Sequence, residues 1–248
     1  MTFPENLYDL FLINFLGIGS TNFAVGGAWY LSAMILSMAI LFPILYAKRE
    51  TFLFCIAPLI SLFLLGWLYK QEGELGVAAQ WNGYFAMGML RASAELCLGC
   101  VAYGITRFLS KYRFTVITKI LLTIAEFAGY IGTLLIAALW AGKTDFFCLF
   151  LLFVSIILSF SGQTYSVQIF SNRIFIKMGK FSLPLYLNHI IWARLLSTLN
   201  MPISFPKELV IYLALSFASA FVCVSTIGFI KELAKKYGSQ IKRCFVKI

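Results

Sequence analysis

Residues 26–45 read "GGAWYLSAMILSMAILFPIL", twenty positions without one acidic or basic side chain. At about 1.5 Å per residue a helix of that length covers roughly 30 Å, the hydrocarbon thickness of a bilayer. A strand crossing the same layer needs only about ten residues and alternates apolar with polar positions, which this stretch does not do. It reads as a membrane-spanning helix. The rest of the chain agrees, since 61% of its 248 residues are hydrophobic and only 12% are charged, against about 25% charged in an ordinary soluble domain. Water is the wrong solvent for such a chain.

Working outward, apolar runs predict spans at 27–46, 51–69, 88–109, 116–140, 145–161, 181–200 and 208–230. The fold class expected is therefore all-α, a polytopic membrane helix bundle of about seven transmembrane helices. Residues 1–248 read as one transmembrane domain that ends in a basic tail at 231–248. Pro184 and Pro206 are expected at helix starts, where a missing N–H costs nothing. Residues 3–19 are too short for a span and too acidic at their edges, and read as an interfacial or re-entrant segment.

The connections set the orientation. Lys48 and Arg49, then Arg107, Lys111, Arg113 and Lys119, then Arg173, Lys177 and Lys180, then the six basic residues from Lys231 to Lys247 all fall in alternate connections. The opposite set holds only Lys70, Lys143 and Lys207, together with acids such as Glu72, Glu74, Asp145 and Glu208. Because basic residues concentrate on the cytoplasmic side, the expectation is an N-terminus outside and a C-terminus inside a bacterial plasma membrane, as a multi-pass protein. The net charge of +10 thus serves topology, and nucleic acid is not an expected partner. Membrane lipid is one, and the basic tail adds attraction to anionic headgroups of about 1 kcal/mol per residue near the surface.

Six cysteines are scattered, five of them inside apolar runs, where cysteine behaves as a small hydrophobe. No disulfide and no metal site is expected. Cys97 and Cys100 form a C-x-x-C at helical spacing, without the loop and basic neighbours of a redox motif.

Charges inside a bilayer cost roughly 2.5 to 3.5 kcal/mol on insertion scales, so each should face the bundle and find a partner. Five groups qualify: Arg91, Glu95, Glu126, His189 and Arg194. Measured from the cytoplasmic ends of their spans they lie at heights of about 24 Å for Arg91, 20 Å for Arg194, 18 Å for Glu95, 15 Å for Glu126 and 12 Å for His189. Arg91 and Glu95 are one turn apart and Arg194 shares their depth, which predicts a cluster joining the third and sixth spans. His189 is the single histidine. Its Asn188 neighbour points about 100° away around the helix, so Tyr186 and Glu126 are the better partners. Helix packing is the favoured role for His189, with general-base chemistry the weaker one, and Glu126 and Tyr186 read as structural polar groups.

Three stretches resemble the membrane-bound acyltransferase type 3 family, whose members O-acylate exported glycans. "GGAWYLSAMILSMAILFPIL" is similar to its aromatic W-[YF]-[LI]-S opening, matched by Trp29, Ser32 and Pro43, with Met34 where many members carry glutamate. "GMLRASAELCLGCVAYGITRFL", residues 88–109, resembles an R-x-x-x-x-x-x-x-G-x-x-x-Y helix through Arg91, Gly99 and Tyr103. "MGKFSLPLYLNHIIW", residues 178–192, resembles a late G-K-x-S-x-x-x-Y-L-x-H signature through Gly179, Lys180, Ser182, Tyr186, Leu187 and His189.

The resemblance implies transfer of an acetyl or other acyl group from cytoplasmic acetyl-CoA, the donor, to hydroxyls of an extracytoplasmic glycan. It implies no metal. Trp29, Ser32, Arg91, Glu95 and Arg194 would then hold the acceptor. The family has about ten spans with both ends cytoplasmic, so the parity of seven spans fits the loss of three leading helices. One of those carries the family's proposed catalytic histidine, to which His189 does not correspond. The catalytic residue is therefore unknown, with His189 a weak candidate. Two other expectations follow: a truncated, non-catalytic membrane partner, or a homo-oligomer or second protein that supplies the absent helices. A transporter or channel is the weakest reading, because the sequence has neither paired broken helices nor a repeated half.

Overall fold

The computed structural model describes the backbone of residues 28–75, 81–82, 85–139, 144–199 and 204–245. These residues are helical almost throughout. In chain order they form α1 (Ala28–Ala47), α2 (Arg49–Glu72), α3 (Met87–Leu109), α4 (Val116–Leu139), α5 (Asp145–Phe160), α6 (Ser166–Phe170), α7 (Arg173–Leu199) and α8 (Phe205–Phe245). Two-residue strands β1 (Trp81–Asn82) and β2 (Phe85–Ala86) pair antiparallel just before α3. The segment 3–19 lies outside the described residues.

Five of these helices are long and apolar enough to cross a membrane: α1 from Tyr30, α2, α3, α4 and α8 over Phe205–Lys235. The protein is accordingly a multi-pass membrane protein in character. The other two expected spans also exist as helices but differ from the five for physical reasons. α5 has only 16 residues, about 24 Å of rise. α7 has 27 residues but begins with Arg173, Lys177 and Lys180 and carries Arg194 near its far end.

The chain divides into two compact units, Ala28–Ser171 and Asn172–Ile248 over their main spans. In the first unit α3 is the central helix. It packs on α1, α2 and α5, and α5 packs in turn on α4. The core is built from small and medium residues: Ala33 of α1 with Ala92, Phe52 and Ala57 of α2 with Cys97, and Leu65 and Leu68 with Ala94. Such contacts suit helices that gain no hydrophobic energy from one another in lipid and rely on close van der Waals approach. The outer surface is more apolar than water would tolerate, Leu62 and Phe63 each being 71% exposed.

α2 begins with a π-helical turn at Phe52–Ile56, which buries the consecutive residues Phe52 and Leu53. The helix ends at Gly73, whose φ of +73° needs no Cβ clearance, and whose N–H bonds to the Tyr69 carbonyl at 2.8 Å.

In the second unit α7 and α8 run antiparallel. Asn188 reaches the Cys223 sulfur at 3.5 Å, Trp192 Nε1 donates to Ser219 Oγ at 2.9 Å, and Phe181 stacks on Phe221 with centroids 6.3 Å apart. Pro206 stands at the start of α8 as expected, whereas Pro184 does not start a helix: α7 passes through it from Arg173. The ring removes only the N–H toward Lys180, and one missing bond is tolerated within a long helix when tertiary packing supports it. The tail expected after residue 230 is a continuation of α8, which runs 41 residues to Phe245.

Candidate functional site

The i, i+4 spacing of Arg91 and Glu95 places both on one stripe of α3. Arg91 Nε donates to Glu95 Oε1 at 2.8 Å, and the side chains stay 28% and 19% exposed. The pair is extended from two other elements. Tyr30 of α1 donates its hydroxyl to Glu95 Oε2 at 3.0 Å. Arg91 Nη1 donates to the Leu75 carbonyl, and the Leu75 N–H donates to Asp145 Oδ2 at 2.8 Å. Asp145 is the first residue of α5. One guanidinium, two carboxylates, a phenol and the backbone N–H and C=O of Leu75 thus tie α1, α3, α5 and the segment after α2 together.

Beneath this cluster a second polar contact joins α1 to α3. Ser93 Oγ donates to Ser37 Oγ at 2.8 Å, and both hydroxyls reach the Met89 carbonyl. Ser32 is fully buried, and its Oγ finds no hydrogen-bond partner among the described residues. It therefore meets packed neighbours rather than an open surface. The Trp29 side chain lies outside the described part. Arg194 belongs to α7 of the second unit.

Tyr30, Leu75 and Asp145 were not legible as members of this site. Tyr30 carries one sequence signal, its place beside Trp29 in a stretch otherwise free of hydrogen-bonding aromatics. Asp145 reads from sequence only as an acid suited to the first turn of a helix.

At the opposite end of the same helices, Arg49 donates to the Tyr103 hydroxyl and lies 5.4 Å over the ring centroid, and Arg107 pairs with Glu50 at 2.9 Å. Gly104, beside Tyr103, lets Phe54 pack close, since a Cβ there would stand 3.4 Å from its ring.

Glu126 is completely buried on α4. Ser159 donates to its Oε1, and Ser166 to its Oε2 at 2.8 Å. These serines hold Glu126. The His189 Nδ1 is bonded to the Tyr186 carbonyl of its own helix. A carbonyl only accepts, so Nδ1 is the donor in this contact. The Tyr186 and His189 rings lie 5.6 Å apart, so those two expected partners do meet.

Among the described residues no group of three or more His, Cys, Asp or Glu stands together to hold a metal ion, and Cys55, Cys97, Cys100, Cys148 and Cys223 are free thiols. No protein-family model matches the chain, and no curated protein or solved structure matches it significantly.

Proposed function

We propose that this chain is an O-acyltransferase of the membrane-bound type 3 kind, crossing a bacterial plasma membrane seven times with its start outside and its end inside. It transfers an acetyl group from acetyl-CoA to a hydroxyl of an exported glycan. One observation carries the reading. Tyr30 of the first matched stretch and Arg91 of the second, 61 residues apart by their numbers, converge on one carboxylate, Glu95. The resemblance selects the two stretches separately; the cluster gives them a common purpose. It lies at the ends of α1, α2 and α3 whose connections are poor in lysine and arginine, the outward side on the charge distribution.

In this reading Arg91 donates its remaining N–H groups to the acceptor sugar, and Glu95 and Tyr30 hold the guanidinium in place. An arginine whose orientation is fixed beforehand costs little reorganisation when the acceptor arrives. The acceptor oxygen attacks the thioester carbonyl carbon, the C–S bond breaks, and the hydroxyl proton leaves to a base.

A second reading is a membrane partner without catalysis of its own. It is favoured by Glu95, both of whose oxygens accept from Arg91 and Tyr30, so that this carboxylate is engaged in holding the cluster together.

The test uses membranes carrying the full chain, incubated with acetyl-labelled CoA, and measures alkali-labile label on extracted glycan. The wild type should label it, and Arg91→Ala at equal membrane abundance should lower the rate by about 10²-fold. No label from wild-type membranes overturns the enzyme reading in favour of the partner.

A further inference from the structure

The polar face of α4 has a regular spacing that neither the acyltransferase reading nor the topology uses. Thr123, Glu126, Tyr130 and Thr133 follow at intervals of three and four residues, so they form one stripe along the helix. Against it lies α5, which at 16 residues is eight shorter than α4 at 24, about 12 Å less rise. The chain leaves α5 beside Glu126, turns through Gly162 at a φ of +71°, and runs on along α4. Tyr165 N–H donates to Thr123 Oγ1 at 3.0 Å, and Gln163 Nε2 to the Tyr112 carbonyl at 2.9 Å. Ser161, Gln163, Thr164 and Ser166 are all buried in this return. Irregular polar backbone at membrane depth is tolerated only where protein or a cavity satisfies it, and the ends of broken helices there are recurrent cation sites.

Hydrogen counting around Glu126 then fixes what is missing. Ser159 and Ser166 each spend their single proton on the carboxylate. Tyr130 must therefore be the donor in its 3.0 Å contact with Ser159, and Thr164 the donor in its 2.8 Å contact with Ser166. Every hydroxyl proton in this hydrogen-bonded series points toward the carboxylate, and among the described residues no donor remains for the other lone pairs of the carboxylate and the two serines. Among the described residues no lysine or arginine pairs with Glu126; the two ion pairs lie elsewhere, and Lys119, two turns away on the same stripe, makes neither. The C-terminal end of α5 adds partial negative charge, and the single turn of α6 that starts at Ser166 is too short to offset it. The site is rich in acceptors, has hard oxygen ligands only, and carries one formal negative charge.

We infer that Glu126, Ser159 and Ser166 form a binding site for a small monovalent metal cation, Na⁺ or Li⁺. Oxygen ligands select hard cations, and a single carboxylate neutralises one positive charge rather than two. The cation ties α4 to the α5–α6 return, because its ligands come from both sides of that contact.

The test is the thermal unfolding midpoint of the detergent-purified full chain, with NaCl or LiCl exchanged for choline chloride at constant ionic strength. The wild type should show a saturable rise of a few degrees in Na⁺ or Li⁺ relative to choline, as mass action requires of a ligand bound by the folded state alone. Glu126→Gln should lose that response, and Ser166→Ala should shift its midpoint concentration upward by about tenfold. A wild-type midpoint identical in all three salts overturns the site without any need for a folded variant. So does a Glu126→Gln protein that keeps the full response.

Discussion

Glu95 and Glu126 both lie at helix contacts of the first unit and are satisfied in opposite ways. Glu95 keeps a fifth of its side chain open and takes an arginine from its own helix, plus a phenol from α1. Glu126 is fully closed off and takes hydroxyls only. Taking a carboxylate out of water costs several kcal/mol in either place unless its lone pairs are filled. At Glu95 an adjacent opposite charge offsets that cost and stays in reach of a ligand. At Glu126 the hydroxyl chain supplies hydrogen bonds without countercharge, in a place no large molecule can enter. A half-open charge pair suits recognition of a sugar, and a closed acceptor cluster suits a small ion.

The difference is broken most severely at Arg91. Arg91→Ala leaves Glu95 with one hydrogen bond and no countercharge and strips the Leu75 carbonyl of its donor, which should cost about 3 kcal/mol. Replacing both members, Arg91→Met with Glu95→Met, should recover most of that, to within about 1 kcal/mol of wild type. Unfolding of the purified chain in mixed micelles gives both values. A double variant as unstable as the single one would mean that the pair does more than cancel its own burial. On the proposed acyltransferase reading the double variant should still lose acyl transfer, because the recovered stability restores no donor to the acceptor.

The sequence carried much of this, and stopped where contacts depend on distant segments. Runs of apolar residues bounded by charge placed α3 and α4 within one residue at each end, 88–109 against Met87–Leu109 and 116–140 against Val116–Leu139. The spacing of Arg91 and Glu95 named that pair before any geometry. The start of α7 was misplaced because proline was taken as a beginning, and this helix runs through Pro184 from Arg173. Tyr30, Leu75 and Asp145 join the cluster across 65, 16 and 70 positions respectively. No local pattern encodes such pairings. Glu126 is fully buried, and its serines, Ser159 in the last turn of α5 and Ser166 at the start of α6, flank a return that hydropathy treats as the tail of a span.

The closed site is broken next, at Gly129. A Cβ there would run into Ser155 Oγ and stand 3.4 Å from the Leu151 carbonyl. At this glycine, one turn from Glu126, α4 and α5 approach closely. Gly129→Ala should cost about 2 kcal/mol through forced separation of the helices, measured by the same unfolding titration. It should also weaken the Na⁺ response, since Ser159 is carried away with α5. The same change at Gly99, where nothing stands within 4 Å of the added atom, should be neutral or slightly stabilising, as expected when alanine replaces glycine inside a helix.

The smallest effects set the two carboxylates directly against each other. Tyr30→Phe removes a hydroxyl that donates to Glu95, and Tyr130→Phe removes one that donates to Ser159, one step back from Glu126. A hydrogen bond to a charged acceptor contributes about 1.5 kcal/mol or more and one to a neutral hydroxyl about 1 kcal/mol or less. Tyr30→Phe should therefore be the costlier change by about 0.5 kcal/mol, although its site is the more open. Filling the Glu126 site changes that order, because a bound cation polarises Ser159 and strengthens the donation from Tyr130. In saturating Na⁺ the two costs should draw level, while in choline the gap should stand. If the gap is the same in both salts, the hydroxyl chain does not feel a cation, and the contrast between the two carboxylates reduces to their exposure.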